Sequence, residues 1–283
     1  MPRYFIHMAY DGTSYHGWQV QPNGKTVQEV MEHALSTLLR QEIAVTGAGR
    51  TDTGVHASYF VAHFDTLPIE NQLNSSQTND NHKDASQRDD SQTNDNQKDD
   101  KGYSDPEDDR FIFKLNRFLP DDIVVYRIRQ VPEEMHARFS AIHRTYHYHI
   151  STVKPLFTRK YAHHLFGPLD LEEINRCCKI ILETTDFTSF SKLHTDVKTN
   201  NCKVLVADWK EVDNGFLFEI RADRFLRNMV RSLVGTLIDA GQGKLDRDDF
   251  LAIAESRDRG HAGQSAPAQG LFLVDIGYEG FPT

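Results

Sequence analysis

Eleven residues between two strand-like runs, Gly47 to Ala57, read G-A-G-R-T-D-T-G-V-H-A and hold three glycines, a guanidinium at Arg50 and a carboxylate at Asp52. Glycine admits positive φ and close approach of a ligand to the backbone, so this is a loop against which something can press. Asp52 at its centre has three readings. It can cap loop amides, as turn aspartates do. It can be one half of a proton-sharing carboxylate pair of the aspartic-protease kind, but that chemistry needs a second Asp-Thr-Gly, and the chain has none. Or it can be a lone nucleophile: a free Asp titrates at about 3.9, and a neighbouring guanidinium would keep it ionised and aimed.

Two sources of that guanidinium stand out. Arg50 is in the loop itself. The other is a run in which Leu226, Met229, Val230, Leu233, Val234, Leu237 and Ile238 recur at helical spacing. Helical steps of 100° put Arg224, Arg227 and Arg231 along one edge of that helix, beside its apolar stripe. Arginine flanks are usually solvated, yet arginine is also the residue for bidentate carboxylate and phosphate contacts. Arg231, next to Val230 and Val234, is the one expected to be held rigidly. Tyr146 shares a strand face with Tyr148; it packs in a core or offers a nucleobase a stacking surface at a pocket edge. His147 and His149 face the other way without a third ligand at fitting spacing, so no metal site is expected.

These residues need elements to position them. Tyr4 to Tyr10 reads as a strand ended by Asp11-Gly12, and Thr26 to Glu29 as a capping box. Behind it Val27, Met31, Ala34, Leu35 and Leu38 line a helical stripe. Ile43 to Thr46 and Ser58 to Asp65 read as strands around the glycine loop. Phe111 to Leu119 reads as a helix stopped by Pro120, and Ile123 to Ile128 as a strand. In the second half, strands are expected at Arg144 to Val153, Cys202 to Val212, Phe216 to Ala222 and Leu271 to Tyr278. Helices are expected at Leu171 to Leu182, from Leu226, and at Asp246 to Glu255. The order β-α-β-β-α-β thus occurs twice. It predicts an α+β fold of two pseudo-symmetric domains, 1–135 and 136–283, each an antiparallel sheet with helices on one face, and an active-site cleft between them.

The formal charge of −9 argues superficially against a nucleic-acid partner. Between Glu70 and Asp109, however, twelve acidic residues face four basic ones, and the remainder carries a net of only −1. A near-neutral body can still hold a cationic groove. The acidic stretch nearly repeats S-Q-T-N-D-N-H-K-D from Ser76 at Ser91 with no apolar face, and is expected to be a disordered insert. As a calcium loop it fails, since Asp95 lacks the glycine five residues on. Three cysteines without paired spacing suit a reducing compartment. With no apolar run near 18 residues and no signal-like start, a cytoplasmic protein without membrane contact is expected.

Nine separated blocks together resemble the tRNA pseudouridine synthases of the TruA type. They are Y-D-G-T-x-Y-x-G-W-Q from Tyr10, V-Q-E from Val27, A-G-R-T-D-x-G-V-H-A from Ala48, L-N-x-x-L-P-x-D-I from Leu115, H-A-R-F-S-A from His136, R-T-Y-x-Y from Arg144, D-F-T-S-F from Asp186, F-L-x-x-M-V-R from Phe225 and G-L-x-L from Gly270. The resemblance implies a cofactor-free isomerisation of uridine to pseudouridine in the tRNA anticodon arm, at positions 38 to 40, by a homodimer whose two subunits both touch tRNA. By motif position it makes Asp52 the nucleophile, pairs it with Arg231, stacks Tyr146 under the target base and has it help remove that base's proton, and has Arg50 fill the space left by the flipped nucleotide. Arg224 and Arg227 are expected on RNA. A non-catalytic RNA-binding module is the rival reading. The acidic insert departs from the family pattern, and nothing is carried over to it.

Overall fold

The computed structural model describes residues 1–69, 106–192 and 199–280, with side chains from Arg110 onward in the middle stretch. In chain order the elements are β1 (Arg3–Tyr10), α1 (Val27–Leu39), β2 (Thr46–Gly47), β3 (His56–Asp65), α2 (Pro106–Phe118), β4 (Ile123–Val131), β5 (Ala141–Ser151), β6 (His163–His164), α3 (Leu171–Glu183), β7 (Val204–Val212), β8 (Gly215–Ala222), α4 (Met229–Gly241), α5 (Arg247–Ser256) and β9 (Leu271–Tyr278). The disorder expected for 70–105 lies outside the described residues. At 106–109 the expectation is corrected: these residues open α2, five before the expected start. Pro106 suits a first helical turn, whose N–H groups have no partner within the helix. Acidic composition masked that start.

The nine strands form one sheet in the order β4-β1-β3-β9-β5-β8-β7, with β2 added beside β3 and β6 beside β5. Pairing is antiparallel except for β5 with β6 and for a short parallel contact of β3 with β9, His56 to Phe272 and Ala57 to Leu273. The expectation of two separate sheets with a crevice between them is therefore corrected. A strand pattern reveals which side chains are buried, but not which partner each hydrogen-bonding edge takes. Here β9 offers one edge to β5 and the other to β3. Each half does place its first strand between two others of its own, β4-β1-β3 and β9-β5-β8.

Two apolar cores flank this seam, and both cross it. The first gathers Phe5, Met8, Trp18, Met31, Leu35 and Phe60 but also takes Leu273, Ile276 and Tyr278 from β9. The second gathers Phe187, Phe190, Phe218, Leu233 and Phe250 but takes Val55 from the glycine loop. Tyr146 packs against both.

Local signals behave as their chemistry dictates. Thr26 accepts the Glu29 N–H and starts α1, Asp170 accepts the Glu173 N–H and starts α3, and Asp246 with Asp249 makes a full capping box on α5. Asn214, at φ 60, turns the β7–β8 hairpin. The Leu226 run departs from expectation. Leu226 is buried, but Asn228 takes the left-handed conformation and α4 begins only at Met229. Apolar spacing cannot separate a helical residue from a loop residue aimed at the same core. Arg224 and Arg227 therefore lie in a loop and not along a helix edge; of the three arginines only Arg231 is helical.

Candidate active site

The glycine loop is held by the segment that follows β1. The Thr51 hydroxyl hydrogen-bonds the buried Tyr10 hydroxyl at 3.0 Å, and the Trp18 N–H donates to the Thr51 carbonyl at 3.4 Å. Gly17 has φ +84°, and any Cβ there would run into that same carbonyl. After Asp52 the chain reverses through a turn in which the Val55 N–H returns to the Asp52 carbonyl at 3.1 Å, with Gly54 at φ +78° donating to the Tyr15 carbonyl. Two backbone demands that only glycine meets cheaply, at positions 17 and 54, thus fix where Asp52 points.

Across the seam, Arg231 is the third residue of α4. Its Nη1 lies 3.5 Å from Asp52 Oδ2, while its Nε donates to the Ala266 carbonyl at 2.7 Å. The Ala266 N–H returns a bond of 2.9 Å to the Arg231 carbonyl. The loop before β9 can lie this close because Gly235 has no Cβ; one would overlap the Gln264 carbonyl. Tyr148 clamps the same loop from β5 by donating to the Pro267 carbonyl at 2.8 Å. Asp52 and Arg231 remain 26 % and 22 % exposed, dry enough to strengthen their attraction and open enough to meet a ligand. Of the two candidate partners for Asp52, Arg231 makes the ion pair. Arg50 is exposed.

Tyr146 completes the group. Its ring stands edge-on to Phe225, centroids 5.1 Å apart at 90°. Burial pushes its phenol up to about 12, opposed by the Arg144 guanidinium and reinforced by the Asp52 carboxylate. Of the three residues expected together, Asp52 and Arg231 form an ion pair, and Tyr146 lies near enough for the Asp52 carboxylate to act on its phenol. Arg224 is half-buried and Arg227 exposed in the loop before α4.

One residue of weight was given no role from sequence. Arg144, two before Tyr146 on β5, donates to four main-chain carbonyls: Ala141 at 3.1 Å and Asp223 at 3.0 Å from Nη1, Ala48 at 3.0 Å and Arg138 at 2.5 Å from Nη2. Ala48 opens the A-G-R-T-D block, so this guanidinium ties the Asp52 loop to the second half. Its place two residues before Tyr146, on the same strand face, was the available signal. Among the described residues, no three His, Cys, Asp or Glu side chains converge as metal ligands would. His147 instead lies 3.9 Å from Glu219.

A carboxylate, a guanidinium and a phenol meeting where two halves of a chain join can attack an electrophilic carbon and steady the charge that develops. Comparison with known proteins says which lineage carries this arrangement. A family model described as tRNA pseudouridine synthase matches residues 6–96 and 182–279. The chain belongs to the tRNA pseudouridine synthase family. It is 49% identical to tRNA pseudouridine synthase A of Bacteroides thetaiotaomicron over 98% of this chain and 91% of that one, and 48% identical to the protein of that name from Bacteroides fragilis over 98% and 96%. Its identity to the one from Bacillus subtilis is 36%, over 96% and 97%. Membership in this synthase family, a family of isomerases, was legible from the motif blocks. The two matched segments contain Asp52 and Arg231, whereas Tyr146 and Arg144 fall between them on β5.

Proposed function

We propose that this synthase converts uridine to pseudouridine in tRNA, at positions 38 to 40 of the anticodon arm, with Asp52 as the nucleophile. The observation that carries the reading is the Asp52–Arg231 ion pair across the seam of the two halves. Uridine and pseudouridine contain the same atoms, so the reaction consumes no cofactor. The target base must leave its stack to be reached. Asp52 adds to the base or displaces it from the ribose carbon, and the N-glycosidic bond breaks; the base turns and rejoins the ribose through carbon as the Asp52 carboxylate is released, and the proton lost from that carbon is matched by one gained on the ring nitrogen that left the sugar. Arg231 holds the carboxylate in line throughout. A phenol pushed up to about 12 stays protonated at neutral pH. Tyr146 therefore stacks on the base and donates a hydrogen bond, and is poorly suited to take up the proton. Arg50 fills the place the base leaves.

The same reading divides the chain at 135/136 into two α+β domains and has it work as a homodimer in the cytoplasm, where two copies share one tRNA. Among the described residues no helix is long and apolar enough to cross a membrane.

The test is direct: incubate the protein with unmodified tRNA transcripts, digest to nucleosides and measure pseudouridine, with Asp52→Asn beside it. Product from the unaltered chain at positions 38 to 40, and none from a variant that still binds tRNA, supports the assignment. Equal product from both removes Asp52 from its role. Binding without product from either leaves the RNA-binding module.

A further inference from the structure

The turn between β4 and β5 is pinned more heavily than a connection needs. The His136 N–H donates to the Ser140 hydroxyl and the Ser140 N–H returns to the His136 carbonyl, both at 2.9 Å. His136 Nδ1 accepts the N–H groups of Arg138 and Phe139, at 3.1 and 3.3 Å. The buried Ala137 gives its N–H to His63 Nδ1 at 3.2 Å, and its carbonyl accepts the Tyr278 hydroxyl at 2.6 Å. Arg144 grips the Arg138 carbonyl with the guanidinium that also grips Ala48.

All this anchoring presents two side chains to solvent. Phe139 is 76 % exposed, its ring buttressed by His136 at 4.4 Å between centroids, and the Arg138 guanidinium lies 5.6 Å from its centroid. A rigid support under an exposed phenylalanine has no use in folding, since the ring buries little. It suits a planar partner, and every nucleobase has such a face. Nor is Arg138 neutralised: among the described residues none of Arg50, Arg138 and Arg224 is paired with a carboxylate. Asp223, the nearest acid in sequence to Arg224, spends one oxygen on the N–H groups of Lys203 and Arg224.

The position is equally specific. Arg144 and Tyr146 are two residues apart on one face of β5, about 6.6 Å along the strand, and Arg144 holds the turn that carries Phe139. The platform therefore borders the Asp52 seam on the side where the glycine loop begins. We infer that Phe139 and Arg138 form a nucleotide-holding subsite beside the reacting uridine, Phe139 taking the face of an adjacent unpaired base and Arg138 its phosphate. This rests on the tRNA reading above and adds to it how the strand flanking the flipped base is gripped.

Four variants test it: Phe139→Leu, Phe139→Trp, Arg138→Ala and Arg138→Lys. Unmodified tRNA affinity is measured across a salt series, together with KM and kcat for pseudouridine formation. Phe139→Leu keeps an apolar side chain but loses the flat face, and affinity falls about tenfold or more while Phe139→Trp holds it. The loss is carried by KM. Arg138→Ala lowers the slope of log affinity against log salt by about one, and Arg138→Lys restores it. Because both positions are exposed, the variants melt with the unaltered chain, so a loss of affinity is not a loss of fold. Wild-type affinity and salt slope in Phe139→Leu and Arg138→Ala, with the unaltered chain still forming pseudouridine, overturn the subsite alone. If the unaltered chain forms none in any tRNA, the functional reading falls and takes the subsite with it.

Discussion

The arginines of the seam floor and those of its rim are held in opposite ways. On the floor, Arg231 is shared between a carboxylate and the Ala266 carbonyl, and Arg144 is committed to four carbonyls. On the rim, Arg50, Arg138 and Arg227 are exposed and Arg224 half-buried. A guanidinium that aims a nucleophile must not move, because a misplacement of about 1 Å costs on the order of a hundredfold in rate. One that meets a phosphate must be free to be taken, and loses little by waiting in water. On the proposed reading, the same residue type is thus preorganised where bonds change and left solvated where a strand is gripped.

Substitutions on the floor should break this division most visibly. After Asp52→Asn itself, Arg231→Met is expected to cost the most. It removes the positive charge beside the proposed nucleophile and the tie to the loop before β9, and kcat should fall by about two to three orders of magnitude, as when one preorganised electrostatic group is lost. Arg231→Lys keeps the charge, but a single ammonium cannot reproduce the fork that serves Asp52 and Ala266 together, so it should recover only part of the rate. Single-turnover conversion of tRNA measures both. A Lys variant as fast as the unaltered chain would show that charge alone suffices.

Arg144→Met tests the floor from below. It leaves four carbonyls short of a donor, and each that stays dry costs about 1–3 kcal/mol. A loss of roughly 3 kcal/mol in unfolding free energy is expected, since some of the four will find water. Burial lowers the pKa of this guanidinium, but arginine stays charged in proteins, so Arg144 acts as a fixed clamp and not as a pH sensor. Its loss should also lower kcat more than it raises KM, because the Asp52 loop is what drifts. Denaturant titration and steady-state rates separate the two effects.

How much of this was legible depended on what each signal encodes. The Leu271–Tyr278 strand and the Thr26 cap of α1 follow from side-chain alternation and capping chemistry, which are local. The nearness of Asp52, Arg231 and Tyr146 came through family motifs, which carry three-dimensional arrangement along the chain. What stayed hidden was relational. That β9 would take β3 on its second edge and merge two sheets into one depends on backbone edges, which leave no mark in residue type. Asn228, by turning left-handed, moved Arg224 and Arg227 off a helix that their spacing otherwise described well. Arg144 spends itself on main-chain carbonyls, partners that every residue offers and no sequence pattern singles out.

Acid probes the anchoring of the rim. His63 is buried with its Nδ1 accepting from Ala137, and burial with the nearby His136 and Arg3 lowers it to about 4. His7 falls to about 4 as well, through burial and the charges of Arg127 and Arg129. Below about 6.5, the ordinary histidine value, the unfolded chain takes up protons that the folded chain refuses until about 4. Stability is therefore fully present above pH 6.5 and lost as pH falls through 4, on the order of 2 kcal/mol for each group. His63→Asn, which keeps an acceptor for the Ala137 N–H and cannot titrate, should flatten the melting-temperature profile in that window. A profile as steep as that of the unaltered chain would place the proton uptake elsewhere.

The smallest expected effects belong to the loop before α4, and they sharpen the comparison most. Arg224→Ala and Arg227→Ala remove no ion pair seen among the described residues, and both lie outside the helix that holds Arg231. If these side chains meet phosphate, each variant should weaken tRNA binding uniformly across tRNA species and lower the salt slope by about one. Both should leave the pH profile and the Asp52-dependent step untouched at saturating tRNA. The two need not be equal. Arg224 adjoins Asp223, whose carbonyl is held by Arg144, so its backbone is fixed to the floor even though its guanidinium is not. Arg227 sits beside the left-handed Asn228, and among the described residues its backbone is tied through its own carbonyl, which accepts the Lys192 N–H. An arginine on a fixed backbone loses less freedom on binding than one on a looser turn, so Arg224→Ala should cost more affinity than Arg227→Ala, by a few-fold at most. The reverse order in a salt-controlled binding titration would mean that the path of the strand over the rim, and not the rigidity beneath it, sets which arginine matters.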